Sequence, residues 1–157
     1  MQQDGNINIA MQRLEVHLRN LEMIFAGLPA NELLQRPAPG KWSKAEILGH
    51  LIDSALNNLK RFTEIQFLPQ PYTNVPYVQD ALVAVNNYQE LPLLHLLNLW
   101  KSLNQQILYV VANIPPGKLN YEVRTNEKDI KTLGWLITDY VAHMEHHLQQ
   151  IESGRRS

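Results

Sequence analysis

Residues 140–151 have the sequence YVAHMEHHLQQI and hold three of the six histidines of the chain within five positions. His143 and His147 are four residues apart, so on an α-helix they lie one above the other on the same face. Two imidazoles at that spacing can both reach one metal ion. The stretch therefore predicts a helix and leaves open whether its histidines bind a metal.

The helix around this stretch is predicted to begin at Thr132, a capping residue, and to end before Gly154. Apolar residues follow two neighbouring lanes along it, and these lanes together form the buried face. His143 and His147 lie on that face, whereas His146 lies at its polar edge. Both metal ligation and a purely structural role fit this pair. A metal site would need a third ligand from another helix, and His50 is the best histidine candidate.

Three earlier segments also repeat apolar residues every three or four positions, at 7–28, 47–62 and 93–114. Ser43 and Glu46 form a capping box that begins the second of these helices, which should run to about residue 66. The connections 29–41 and 67–79 are rich in proline, and 118–131 is polar and predicted to be mostly irregular. Short helices are expected near 31–34 and 80–88. The pattern predicts an all-α four-helix bundle, a single domain over 1–157, with long interhelical connections and one or two short extra helices.

Composition excludes several functional classes. The 157 residues are 45% hydrophobic and 18% charged, and the net charge is −1, so no basic surface for nucleic acid or anionic membranes is expected. No apolar run reaches the roughly 20 residues that span a bilayer. The absence of cysteine rules out a thiolate metal site or a cysteine nucleophile. The N-terminus lacks a signal-peptide pattern, and a cytoplasmic protein is predicted.

His50 lies on a polar lane of the second helix together with Glu46, Asp53, Asn57 and Arg61. A polar lane beside an apolar stripe usually faces solvent, and the residues alone predict that here. The alternative is a hydrated seam inside the bundle.

The motif W-S-x-x-E-x-x-x-H-x-x-D at 42–53 and the motif H-x-x-x-H at 143–147, with Trp100 between them, resemble the DinB/YfiT-like family. The resemblance extends over most of the chain, to Ile151. It implies a four-helix bundle with non-sequential packing that is often a homodimer. It also implies a metal site formed by His50, His143 and His147, with His50 turned toward the bundle.

Three neutral histidines would leave open positions on a zinc, nickel, iron or manganese ion. Such a site can activate water for hydrolysis or hold a thiol as thiolate. The resemblance implies both uses, since relatives are described as metal-dependent hydrolases or as transferases of low-molecular-weight thiols such as bacillithiol. The leading hypothesis is a metal-dependent thiol S-transferase or hydrolase acting on a small molecule. No catalytic side chain is identified, because Glu145 lies on the other face of its helix. A non-catalytic, stress-related protein that binds a metal or small ligand, and a bundle with structural histidines, are the alternatives.

Overall fold

The computed structural model describes the backbone of residues 2–153 and side chains from residue 6 onward. Within this range the chain is mainly helical, and Gly154, the predicted helix stop, lies outside it. The α-helices are α1 (Gln2–Ala26), α2 (Ala30–Leu34), α3 (Lys44–Glu64), α4 (Gln79–Val85), α5 (Leu93–Ala112) and α6 (Leu133–Glu152). Two 3₁₀ helices cover Tyr88–Glu90 and Pro116–Asn120, and three short strands are β1 (Tyr72–Thr73), β2 (Glu122–Asn126) and β3 (Asp129–Thr132).

The four long helices, α1, α3, α5 and α6, form the predicted bundle. Each packs mainly against two of the others: α1 and α3 both contact α5 and α6. The first two long helices of the chain are therefore diagonal in the bundle, and the packing order around it is α1, α5, α3, α6. This is the non-sequential arrangement that the family resemblance implied, and it requires the long connections seen in the sequence.

The core of the bundle is formed by the apolar stripes that the helical period predicted. On α1, Ile7, Leu14, Leu21 and Phe25 are buried. The other three long helices contribute further fully buried side chains, which include Leu51, Ile52, Phe62, Leu96, Trp100, Ile107, Leu133, Ile137 and Val141. None of the described helices is long and apolar enough to cross a membrane.

The start of α3 is fixed by the predicted capping box. The Ser43 hydroxyl accepts a hydrogen bond from the Glu46 backbone N–H at 3.1 Å, and the Glu46 carboxylate accepts one from the Ser43 N–H at 2.9 Å. Arg36 pairs with the same carboxylate, and its hydrogen bonds hold the Glu46 pKa below its ordinary value despite burial. Gln89 donates to the Leu34 carbonyl at 2.7 Å and accepts from the Ser43 hydroxyl. These contacts attach the 34–43 connection to α3.

The prediction that residues 118–131 are mostly irregular is wrong. This region contains the second 3₁₀ helix and an antiparallel hairpin in which Arg124 pairs with Ile130 and Val123 with Lys131. β1 adds to the hairpin in parallel, with Tyr72 opposite Val123. Val123 is the one side chain of the hairpin that is fully buried, so these strands need little alternation of apolar and polar residues. Without that alternation the sequence shows no strand signal. The resulting small sheet ties the 67–79 connection to the segment before α6.

Candidate metal centre

His50 lies on α3 and is fully buried, with no exposed surface. The prediction that its polar lane faces solvent is wrong, since Glu46 and Asp53 are also buried. The reason is that α3 is covered on several sides: it contacts α2, α4 and the 3₁₀ helix at Tyr88–Glu90, as well as α5 and α6. Tyr88 of the 3₁₀ helix covers the lane at Asp53, while Trp42 and the α6 histidines lie against the His50 ring.

His143 and His147 lie on α6 beside His50 and are partly exposed. Their Nε2 atoms are 3.2 Å apart, and their ring centroids are 4.7 Å apart. The ring of His50 lies 5.4 Å from that of His143 and 4.6 Å from that of His147. One ring nitrogen from each of the three residues can be chosen so that all three atoms lie within 4.8 Å of one another. The structure therefore brings together the three histidines of the sequence prediction.

The separation of the α6 nitrogens suits a shared metal ion. Two ligands of a tetrahedral ion at 2.0–2.1 Å are about 3.3 Å apart. His147 Nδ1 lies 2.9 Å from the Gln150 Oε1 atom. Because an amide oxygen only accepts, Nδ1 carries the proton and Nε2 offers its lone pair toward His143. Gln150 thus holds the His147 ring in the tautomer that a metal ligand needs.

His50 offers the strongest sign of a missing partner. Both of its ring nitrogens are buried and form no hydrogen bond within the described part of the chain. In the neutral ring one nitrogen is an N–H donor and the other a lone-pair acceptor, and burial has removed both from water without replacement, which costs free energy. A metal ion shared with His143 and His147 would satisfy one of these nitrogens.

The electrostatics keep all three imidazoles neutral near pH 7. Burial, with a smaller contribution from the neighbouring His147 and His143, lowers the pKa of His50 from 6.5 to about 3. Burial also lowers the pKa values of His143 and His147. Neutral imidazole is the form that binds metals, so no proton has to be displaced from these rings at neutral pH.

A cleft with a volume of about 740 Å³ lies beside the histidines. Its walls include Trp42, Lys44, Ile47, Asp80, His147 and Gln150. The Trp42 ring lies 4.7 Å from His50 and 6.3 Å from His147, so it borders both the cleft and the histidine cluster. The cluster is therefore accessible from the cleft on its His147 side, while His50 is enclosed.

Comparison with known proteins agrees with this geometry. The family model described as "DinB superfamily" matches residues 13–151, which is most of the chain and includes all three histidines. The chain belongs to the DinB superfamily.

Two similar proteins, one matched by sequence and one by structure, have functional descriptions. A protein of Halalkalibacterium halodurans, named "putative metal-dependent hydrolase", is 23% identical over 150 residues, which cover 96% of this chain and 86% of that protein. The solved structure of YfiT from Bacillus subtilis has a TM-score of 0.84 at 20% identity and covers 94% of this chain and 84% of its own. That structure is described as "a probable metal-dependent hydrolase with an unusual four-helix bundle topology". At this identity the YfiT likeness establishes the DinB bundle as the fold.

The carboxylates nearest in sequence to the histidines are engaged elsewhere. Glu145 accepts hydrogen bonds from Arg13 at 2.6 and 2.7 Å and lies 3.2 Å from His17, which confirms that it lies on another face of α6. Asp53 accepts a hydrogen bond of 2.6 Å from the Tyr88 hydroxyl, and burial raises its pKa. Neither carboxylate belongs with the three histidines to the group of side chains that could share one ion.

Sequence reasoning missed Tyr77 as a neighbour of the site. Its ring centroid lies 6.5 Å from that of His50. It follows Pro76 in a connection whose path depends on the pairing of β1 with β2, so no local signal placed it there. His146 is exposed, as its place at the polar edge of the helix predicted, and His95 is exposed as well.

Proposed function

We propose that this DinB protein is a metal-dependent enzyme in which His50, His143 and His147 hold one divalent transition metal ion. The observation that carries the proposal is the state of His50. It is a fully buried imidazole whose two nitrogens have no partner among the described residues, and it lies next to two further neutral imidazoles. A bundle core would be more stable with an apolar side chain there, so the retained histidine points to ligand binding.

The chemistry of the donor set fits a reactive rather than a structural site. Three protein nitrogens leave coordination positions open, and they do not discriminate among zinc, nickel, iron and manganese. When bound, the ion would supply Lewis-acid activation of a nucleophile. The chain itself holds the three imidazoles neutral, fixes the His147 tautomer through Gln150 and presents the adjoining cleft to a substrate.

We infer that the substrate is a small molecule and that the reaction is hydrolysis or the transfer of a low-molecular-weight thiol. The cleft volume is within the range of small-molecule sites. The description of the Halalkalibacterium relative favours hydrolysis. The absence of cysteine means that a thiol nucleophile would come from a cosubstrate. Homodimer formation stays a prediction, which the molar mass from light scattering tests.

The metal content of protein purified without a histidine tag tests the proposal. We expect about one divalent ion per chain by elemental analysis, and less than about a tenth of that in a His143→Ala variant, because two nitrogens bind such ions weakly. The matched control is His146→Ala, which removes an exposed histidine from the same turn of α6. Wild-type protein that neither contains nor takes up metal, or equal metal loss in both variants, would contradict the metal site.

Turnover separates an enzyme from a protein that only binds a metal. The metal-loaded protein should hydrolyse p-nitrophenyl esters, or conjugate cysteine to monochlorobimane, and the activity should disappear in the His143→Ala variant. A metal-loaded protein that is silent across panels of esters, amides and thiol acceptors would favour the non-catalytic binding role.

A further inference from the structure

The segment 72–78 passes the histidine cluster and is held in place from two sides. Its Asn74 N–H donates to the Arg124 carbonyl at 3.0 Å, next to the pairing of β1 with β2. From α3, Arg61 donates to the Val75 carbonyl at 2.7 Å. The backbone just before Pro76 is therefore tied both to the small sheet and to the helix that carries His50.

Tyr77 is the residue that this segment brings to the cluster. Its ring lies 6.5 Å from the His50 ring, and the Arg61 guanidinium carbon lies 5.4 Å from the centre of the Tyr77 ring. Arg61 therefore contacts both the backbone before Tyr77 and the face of its ring. Burial lowers the Arg61 pKa, which shows that its guanidinium is partly removed from water where it makes these two contacts.

The Tyr77 hydroxyl is uncommitted. Within the described part of the chain it forms no hydrogen bond, and it is not shielded from solvent. Neighbouring protic groups differ in this respect. The Tyr140 hydroxyl donates to the Asn104 side-chain oxygen, and the Tyr88 hydroxyl donates to Asp53. Tyr77 thus has its ring beside His50, held there by Arg61, and a hydroxyl that is free to donate a hydrogen bond.

We propose that Tyr77 contacts the ligand of the histidine site and donates a hydrogen bond to an oxygen atom of that ligand, and that Arg61 positions Tyr77. The class of ligand is one that presents a carbonyl, carboxylate or similar oxygen acceptor next to the metal. The inference rests on the proposed function, because it assigns a residue to the same site.

Binding of acetohydroxamate, a small metal chelator with a carbonyl oxygen, provides the test. Isothermal titration of the metal-loaded protein should show about tenfold weaker binding for Tyr77→Phe, which is the loss of one hydrogen bond of about 1.4 kcal/mol. The matched control is Tyr72→Phe in the same segment, whose hydroxyl donates to Glu64 at 2.8 Å. Its affinity should stay within about twofold of wild type. Equal affinities of Tyr77→Phe and wild type would overturn the proposal.

A double-mutant cycle tests the part played by Arg61. Arg61→Met alone should weaken acetohydroxamate binding severalfold, because Tyr77 is no longer held. In the Tyr77→Phe background Arg61→Met should weaken binding little further, since the Tyr77 hydroxyl through which Arg61 acts is already absent. Equal losses in both backgrounds would show that Arg61 acts on the fold and not through Tyr77.

Metal content distinguishes a failure of the proposed metal site from a failure of the Tyr77 assignment. Each variant is analysed for metal before titration, and all should retain about one ion per chain, since neither tyrosine nor Arg61 is among the three ligands. Wild-type protein that takes up no metal would overturn the proposed function, and this assignment with it. A metal-loaded wild type that binds acetohydroxamate no more tightly than Tyr77→Phe would overturn the Tyr77 assignment alone.

Discussion

The metal-free protein is expected to lose about 2–3 kcal/mol of its unfolding free energy between pH 6.5 and pH 4.5, and about 4 kcal/mol by pH 3. Burial, and then the nearby His147 and His143, depress the folded-state pKa of His50 to about 3 from 6.5. Between these two pKa values His50 is protonated in the unfolded chain and neutral in the folded chain. The stability that neutral His50 allows is complete above pH 6.5 and is lost as the pH falls toward 3. Urea unfolding at a series of pH values, with a chelator present, measures this slope.

Above about pH 4.5 the buried histidines lower the stability as the pH falls, whereas Asp53, whose pKa is raised by burial, contributes a slope of the opposite sign. The pKa values of Glu46 and Glu145 are lowered, mainly by their arginine partners in the case of Glu46, so their stabilising pairs are lost only at pH values below about 4.5. A His50→Leu variant keeps a similar volume but removes the buried imidazole. Its slope above pH 4.5 should be smaller than that of wild type by about 1.4 kcal/mol per pH unit, and it should be the more stable protein at pH 5. The residual slope is the sum of the contributions of His143, His147 and Asp53. Identical slopes in the two proteins would mean that His50 is protonated without cost.

Local sequence signals predicted most of the helical architecture. The capping box at Ser43 and Glu46 predicted the start of α3, and the structure begins that helix at Lys44. The Thr132 side chain accepts a hydrogen bond from the Trp135 N–H, as expected of the cap of α6. Such signals succeed because a helix start depends on groups three residues apart. The pair His143 and His147 was separated from His146 by the same local logic.

The surroundings of His50 could not be predicted from its own helix. The polar lane with Glu46 and Asp53 is typical of a solvated face, and only the family resemblance pointed His50 inward. Its ring lies against Trp42, Tyr77 and the two α6 histidines, and most of these neighbours lie far from it in sequence. The apolar and polar pattern of one helix predicts which of its faces is apolar. The burial of a polar residue also depends on which other elements pack against that helix.

The hairpin and Tyr77 were missed for a related reason. β2 and β3 are short, and their turn at 127–128 contains neither glycine nor proline. Strand pairing between β1 and β2 joins residues that are about 50 positions apart, so it leaves no periodic trace in either segment. Since this pairing determines where Tyr77 lies, the candidate ligand contact could only be recognised in three dimensions.

A Gly49→Ala variant is expected to lose about 2–4 kcal/mol of unfolding free energy. Gly49 precedes His50 on α3, and an added Cβ would overlap the Tyr88 ring and lie 2.7 Å from Tyr88 Cβ. Tyr88 is buried, and its hydroxyl holds Asp53 with a bond of 2.6 Å. Moving Tyr88 would combine overpacking of about 1–3 kcal/mol with the loss of a hydrogen bond to a buried carboxylate. The better helix propensity of alanine offsets only about 0.5–1 kcal/mol.

Two further variants assign this loss. Gly117→Ala is the matched control, because an added Cβ there meets no atom within 4 Å, and its unfolding free energy should stay within about 0.5 kcal/mol of wild type. Tyr88→Phe removes the hydrogen bond to Asp53 without overpacking, so it should cost about 1–3 kcal/mol and less than Gly49→Ala. If Gly49→Ala unfolds at the same urea concentration as wild type, Tyr88 must have room to move away from α3. The tight contact at Gly49 would then not be what keeps the 3₁₀ helix over the lane of His50 and Asp53.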